Sequence, residues 1–351
     1  MTRPRLRDLG IVTGALPPGP LNAITDVEGV QVGTATLIRD TPSVVRTGVT
    51  AIWPRPDIWS RWAFAGGHSF NGNGEMTGLV WIAEQGLLGT PICITNTFSV
   101  GLVRDAICAM AQRADAAIPW HLPVAAETYD GWLSDSASFP VTTELAIEAL
   151  ESARSGPVAE GNIGGGTGMN CHEFKGGTGT ASRVVDGYTV GCLVQANYGS
   201  RDLFRVNGVP VGREIGPDIV PSHRDMPREA GSIIVILATD APLLPIQCAR
   251  LARRATTGLA WVGGIGSNGS GDIFLAFSTG NSIGSTDAIS DVRMIAPVAM
   301  TALFQAAAEA TEEAILNAMV AAETMTGQAG RVSHALPHAL LVEAMERYAR
   351  K

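Results

Sequence analysis

A chain of 351 residues with 46% apolar and 17% charged side chains can bury a large core, as one big domain or two ordinary ones. Its net charge of −8 and pI near 5.3 exclude a nucleic-acid surface, which needs clustered basic residues to displace counterions from phosphate, and argue against acidic polymers as partners. No apolar run demands a membrane span, and the basic start Met1–Asp8 reaches Pro17 and Pro18 without the apolar stretch of a signal peptide. The five cysteines are scattered and lack CxxC spacing, which suggests free thiols in a reducing compartment, and the expected location is the cytoplasm.

In chain order, Gly19-Pro20 turns into an alternating strand ending at Arg39, and Thr47 to Trp53 is predicted to pair with it across Asp40-Thr41-Pro42-Ser43. Gly66 to Gly78 reads as a loop, being too rich in glycine and asparagine for a core element. Residues 92–96 form a short strand, and Val100 to Gln112 a helix with Val103, Ile107 and Met110 on one face. Glu127 to Asp135 is dense in carboxylates and aromatics, which suits a polar pocket wall or a solvated acidic loop. Thr142 to Arg154 reads as a capped amphipathic helix with Glu144, Glu148 and Glu151 outward.

The glycine-dense stretch Gly161 to Gly179 is not a phosphate loop, because Lys175 is followed by two glycines and a strand rather than by Ser or Thr opening a helix. Lys351 is the only other lysine, so any lysine chemistry falls to Lys175. Thr180–Val185 and Tyr188–Ala196 form a hairpin ending at Asn197, where a carboxamide can aim its N–H groups into a site. Residues 200–231 are loop-like and proline-rich, with an exposed linker over 222–230 leading to Gly231-Ser232. The apolar run that follows, Ile233 to Ala238, reads as a strand buried on both faces. A cut before Ser232 would give that serine a free amine titrating at about 7.7–8.0, a base for its own hydroxyl. Taken alone, Gly-Ser reads first as an ordinary turn entering a core strand.

Beyond it, Pro242 to Arg254 reads as a helix, Leu259–Val262 as a strand and Gly263–Asp272 as a loop. Gly264, Gly266 and Gly269 have the spacing of a dinucleotide fingerprint, but Ile273–Ser278 is strand-like where that motif needs a helix. A hairpin loop presenting Ser270 and Asp272 on one side of an extended chain fits better. Residues of roughly 290–325 and 337–349 are predicted helical, the alanine-rich part being a packed helix. His334 and His338 have ligand spacing, but Pro337 interrupts them, and no metal site is expected.

These stretches together resemble one family, the P1 family of self-processing aminopeptidases, which includes the L-aminopeptidase/D-esterase and β-peptidyl aminopeptidase group. The resemblance covers nearly the whole chain. It is carried by Arg7-Asp8-Leu9-Gly10-Ile11, Gly19 to Val27, Glu127-Thr128-Tyr129-Asp130-Gly131, Phe174 to Arg183, Val194-Gln195-Ala196-Asn197, Gly231-Ser232 with Ala238 to Pro245, and Asn268 to Phe274. It implies an α+β fold, a four-layer αββα sandwich like that of N-terminal-nucleophile hydrolases but with distinct connectivity. It also implies a single domain over 1–351, made inactive and cut by itself between Gly231 and Ser232 into 1–231 and 232–351, and assembled as a tetramer of such pairs.

Residue by residue, the resemblance makes Ser232 the nucleophile, with Ser270 and Asp272 orienting it and assisting proton transfer; some members have Glu where Asp272 stands. Asn197 would donate to the oxyanion, a contribution of the order of 2.7–4 kcal/mol. Glu127 and Tyr129 would line the pocket for the substrate's ammonium and reacting carbonyl, and Lys175 would polarise the site or hold a backbone turn. The implied substrates are short peptides or aminoacyl amides and esters, with no cofactor, no metal, and neither nucleic acid nor membrane as partner. Two other readings stand beside this one. Related amide hydrolases and acyltransferases use threonine at the cut, against which Ser232 argues, and a non-catalytic small-molecule-binding relative would remain one intact chain.

Overall fold

The computed structural model describes residues 3–114, 118–222 and 231–349. Its first half runs β1 (Gln31–Arg39), β2 (Val45–Trp53), β3 (Arg61–Gly72), α1 (Leu79–Gln85), β4 (Leu87–Leu88), β5 (Ile92–Asn96), α2 (Val100–Arg113), β6 (Val124–Thr128) and α3 (Thr143–Glu151). The second half runs β7 (Asn170–Cys171), β8 (Phe174–Lys175), β9 (Gly177–Val185), β10 (Tyr188–Asn197), α4 (Val211–Glu214), β11 (Gly231–Thr239), α5 (Pro245–Ala252), α6 (Ala255–Val262), β12 (Ser270–Gly284), α7 (Met300–Ala321) and α8 (His338–Ala349).

Two sheets organise these elements, one ordered β1-β2-β5-β6 and the other β4-β3-β12-β11-β10-β9. Strand alternation sends Ile52, Ile94 and Val124 of the first against Leu193, Ile234, Ile236 and Leu275 of the second, forming an apolar layer between the sheets. The opposite face of the larger sheet, with Val194, Ile233, Val235 and Phe274, packs on Leu251, Leu259, Leu303 and Leu316 of α5, α6 and α7. The opposite face of the smaller sheet, with Val49, Ala51 and Cys93, packs on Val103 and Ile107 of α2 and Ala146 and Leu150 of α3. The result is the αββα stack, helices outside and sheets inside.

Much of the local reading holds. β1 and β2 pair antiparallel from Gln31↔Trp53 to Arg39↔Val45, and Thr142 caps α3 by accepting from Leu145 N–H. Three expectations are corrected. Most of the stretch read as a loop from Gly66 belongs to β3, a strand paired with β12 inside the large sheet. Its glycines are there for close approach: a Cβ on Gly66 would sit 2.3 Å from Ala249 N of α5. Leu259–Val262 is the end of α6, not a strand; its buried residues Ala255, Gly258, Leu259 and Val262 follow helical spacing, and Gly263 at φ 108° ends it. Ser270 and Asp272 therefore sit not on a hairpin loop but at the start of β12, which leaves α6 and runs parallel to β11. Residues 223–230 of the expected linker lie outside the described residues.

Candidate active site

Strand β11 begins at Gly231, so Ser232 is its first residue with a side chain. Asn197 at the end of β10 stands opposite Ser232 in one register, and Gly271 of β12 stands opposite it in the other. The serine is buried; its hydroxyl donates to the Gly231 carbonyl at 2.7 Å, and its Oγ accepts from Gly271 N–H at 3.2 Å. The sheet thereby fixes the hydroxyl beside the carbonyl that precedes it.

The Asn197 carboxamide is pinned at both ends: Oδ1 accepts from Asn170 N–H at 2.8 Å and Nδ2 donates to the Tyr129 carbonyl at 2.9 Å. Glu127, near the end of β6, is 3% exposed and accepts from Glu75 N–H at 3.0 Å and from the Thr97 hydroxyl. Burial raises its pKa, and those two hydrogen bonds offset only part of the rise. A Cβ on Gly74 would stand 3.1 Å from both Glu127 Oε1 and Gly271 Cα, so a glycine lets this carboxylate approach the serine-bearing strands. Tyr129 is exposed at the rim, whereas Asp130 is fully buried, its pKa pushed up to about 7 chiefly by burial.

Ser270 and Asp272 lie on one side of β12, as their spacing predicts: Ser270 Oγ donates to Asp272 Oδ2 at 2.7 Å. The Asp272 carboxylate also accepts from Ile233 N–H, and burial pushes its pKa up to about 6. Alternation puts this pair on the helix-facing side of the sheet with Phe274, while Ser232 shares the inter-sheet side with Ile234. Among the described residues no hydrogen bond joins either of them to Ser232 Oγ. With Gly231 and Tyr198 they line a cavity of about 340 Å³, and there the Tyr198 hydroxyl and Asp272 Oδ1 have no partner among the described residues. The pair therefore lies beside the Gly231 backbone rather than beside the serine hydroxyl.

Lys175 holds a backbone turn. It is fully buried, its Nζ donates to the carbonyls of Met169 and Gly176 at 2.8 Å each, and burial lowers its pKa to about 7. Because Met169 precedes Asn170, whose N–H holds Asn197, the lysine supports the carboxamide at one remove. Sequence reasoning missed Thr97, Asn170 and Gln195; Gln195 Nε2 bridges to the Thr95 carbonyl at 2.9 Å and Thr128 Oγ1 at 2.8 Å, tying the two sheets together. The available signal for Thr97 was its place just past the end of a strand whose neighbour carries Glu127. A hydroxyl, a carboxamide and a buried carboxylate thus meet where the two sheets abut, with a carboxyl–hydroxyl pair behind the backbone. These are the parts acyl transfer requires.

Comparison with known proteins agrees with that chemistry. The chain is 49% identical to the β-peptidyl aminopeptidase BapA of Sphingosinicella microcystinivorans, over 99% of this chain and 93% of that protein. Its identity to the β-peptidyl aminopeptidase BapA of Sphingosinicella xenopeptidilytica is 41%, over 98% and 91%. A Burkholderia sp. β-aminopeptidase structure superposes with a TM-score of 0.91 at 50% identity, covering 98% of this chain and 99% of that one. The L-aminopeptidase D-Ala-esterase/amidase of Ochrobactrum anthropi, described as a prototype for the serine aminopeptidases and a new variant of the Ntn hydrolase fold, superposes at 0.90 with 45% identity and 99% coverage of each chain. Fold and site thus define a hydrolase of the Ntn-like serine aminopeptidase architecture. The model of peptidase family S58 matches residues 22–333, and the chain belongs to that family.

Proposed function

We propose that this protein is a serine aminopeptidase that activates itself by cutting between Gly231 and Ser232, and that it then removes N-terminal residues from short peptides, amides or esters. The observation that carries the proposal is the placement of Ser232 at the start of a central strand, its Oγ 2.7 Å from the Gly231 carbonyl oxygen and Asn197 opposite it. In the cut, Ser232 Oγ attacks the Gly231 carbonyl carbon and the C–N bond breaks, the proton passing to nitrogen. Water then hydrolyses the ester, leaving a Gly231 carboxylate and a Ser232 with both hydroxyl and amine free. The released terminus can rotate toward Ser270 and Asp272, which the uncut backbone keeps on the other face.

In turnover the freed hydroxyl attacks the substrate carbonyl, Asn197 donates to the oxyanion, the leaving amine takes a proton, and water resolves the acyl-enzyme. Glu127 pairs with the substrate ammonium, which restricts attack to the first residue, and Tyr129 borders the same pocket. The names of the Sphingosinicella and Burkholderia relatives point to an N-terminal β-amino acid as the substrate class. Exposed apolar residues such as Val80, Trp120 and Leu122 fit assembly into a tetramer of cut pairs within one single-domain fold. Five free thiols suit the cytoplasm, and no helix among the described residues is long and apolar enough to cross a membrane.

Denaturing electrophoresis with N-terminal sequencing tests the reading. The purified protein should resolve into two fragments, the smaller beginning at Ser232, and Ser232→Ala should stay full length and inactive. Recovery of only intact wild-type chain after prolonged incubation would sink the proposal, as would normal turnover of an aminoacyl p-nitroanilide by Ser232→Ala.

A further inference from the structure

Tyr198 stands beside the proposed cut and takes no part in the chemistry above. It follows Asn197, the last residue of β10, and packs with the core on the helix-facing side of the large sheet, the side of Ser270 and Asp272. A Cβ on Gly231 would stand 2.9 Å from Tyr198 Cα, so the glycine lies directly against it. The Tyr198 carbonyl accepts from His172 N–H at 2.7 Å, and its ring meets the His172 ring edge-on at 4.9 Å. These contacts fix the side chain in the wall of the cavity of about 340 Å³ behind Gly231. Tyr198 is 5% exposed, and its hydroxyl has no partner among the described residues. Burial first, and then the nearby Cys171 and Asp272, hold its pKa well above 10, so the hydroxyl stays a donor. In the same cavity Asp272 gives Oδ2 to the Ser270 hydroxyl, which leaves Oδ1 as a second buried polar atom without a partner among the described residues.

One donor and one acceptor that border a roomy cavity beside a reacting carbonyl suit a single bound water. We propose that Tyr198 is a positioning residue for the self-cut, its hydroxyl holding, together with Asp272 Oδ1, the water that hydrolyses the Gly231 ester. The inference rests on the self-cutting reading and adds the residue that directs its second step. Ser232 Oγ reaches Gly231 from the inter-sheet side, so the water comes to the same carbonyl from the cavity behind. Tyr198 donates to one lone pair of the water oxygen, Asp272 takes one of the water's protons, and the other lone pair attacks the Gly231 carbonyl carbon. The bond from that carbon to Ser232 Oγ then breaks, and the proton taken by Asp272 is handed on to the leaving Oγ through the freed amine beside it. Ester and water become the Gly231 carboxyl and the Ser232 hydroxyl. Because Tyr198 acts after the acyl shift, its loss stalls the chain at the ester step and leaves the shift itself intact.

The test follows the cut in freshly synthesised wild type and Tyr198→Phe by timed electrophoresis, with and without neutral hydroxylamine, which attacks an ester at Gly231 but not the amide that precedes it. The variant loses one unpartnered atom, so its unfolding midpoint is expected at or above that of wild type. In buffer its cut should be slowed by about 100-fold, the scale of a misplaced reactant. Hydroxylamine should then release 232–351 from the variant as fast as from wild type, leaving a Gly231 hydroxamate identified by mass. Three results would overturn the assignment. A cut as fast as that of wild type shows the hydroxyl idle, a slow cut that hydroxylamine does not rescue puts the hydroxyl in the acyl shift, and a lowered midpoint makes its part structural. A wild-type chain that stays whole with and without hydroxylamine would instead bring down the self-cutting reading itself, whereas a wild type that cuts beside any of those three results removes only Tyr198.

Discussion

The Asp272 carboxyl accepts from the Ser270 hydroxyl and the Ile233 N–H, and burial raises its pKa to about 6. The sign follows directly. Because the folded-state pKa exceeds the ordinary 3.8, ionisation costs stability as pH rises from there through about 6, and the competent carboxylate is present only above that range. Self-cutting and turnover should therefore both rise with pH through an apparent pKa of about 6. Asp272→Asn should slow both by at least about 100-fold, the usual scale of acid–base assistance, and flatten that limb. Timed electrophoresis and initial rates between pH 5 and 8 measure it; an unchanged limb in the variant would make Asp272 a structural cap on β11. Lys175 shows the opposite assignment. A buried amine near pKa 7 invites a catalytic reading, but both short hydrogen bonds go to backbone carbonyls, so its part is to shape the turn behind Asn197.

At the level of elements, what the chain discloses depends on whether a signal is local. The β1–β2 pair, the capped α3 and the β9–β10 hairpin at Asp186-Gly187 were legible, since alternation, capping and turn chemistry are each written within a few residues. The position of Asn197 at a strand end and the shared side of Ser270 and Asp272 were legible for the same reason. β3 was not, because Gly66 answers to a helix some 180 residues later, and Gly67 to Leu79 of α1, rather than to a turn. α6 was not, because four apolar residues fit a strand as well as a buried helical turn. That Ser232 and the Ser270–Asp272 pair face opposite sides of the sheet needs the β11–β12 register, and the place of Tyr198 in the cavity with that pair needs β10, β11 and β12 brought together. The β3 misreading leads to a measurable effect. Gly66→Ala places a Cβ 2.3 Å from Ala249 N, so α5 must move off the sheet, at a cost of about 1–3 kcal/mol for overpacking. A lowered denaturation midpoint is expected, and one equal to wild type would show that α5 adapts freely.

Over the whole molecule, the proposed cut falls inside an interleaved sheet. β11 and β12 belong to 232–351 but lie between β3 and β10 of 1–231, so the two pieces cannot part without unfolding. A buried ion cluster ties them again: Arg183 of β9 meets Glu309 at 3.1 Å and Glu313 at 2.7 Å on α7, and Glu313 also takes Arg7 at 2.7 Å. Burial alone pushes both carboxyls up. Hydrogen bonds to Glu309 from Gln305, the backbone and Arg183, and to Glu313 from Arg7 with the charge of Arg183, outweigh it and hold both pKa values below 4.5. Carboxylates so depressed contribute stability above their unfolded pKa and lose it as pH falls through the folded values. Arg183→Met removes the shared partner and leaves two buried carboxylates short of charge, a loss of about 3–5 kcal/mol near neutral pH. The wild-type unfolding midpoint should drop steeply below pH 4.5, while the variant, already low, should drop less, so the gap between them narrows in acid. Thermal unfolding of both proteins at pH 7 and pH 4 measures that gap. A gap of equal size at the two pH values would mean that Arg183 acts through packing alone and that the cluster adds no charge-dependent hold between the two pieces.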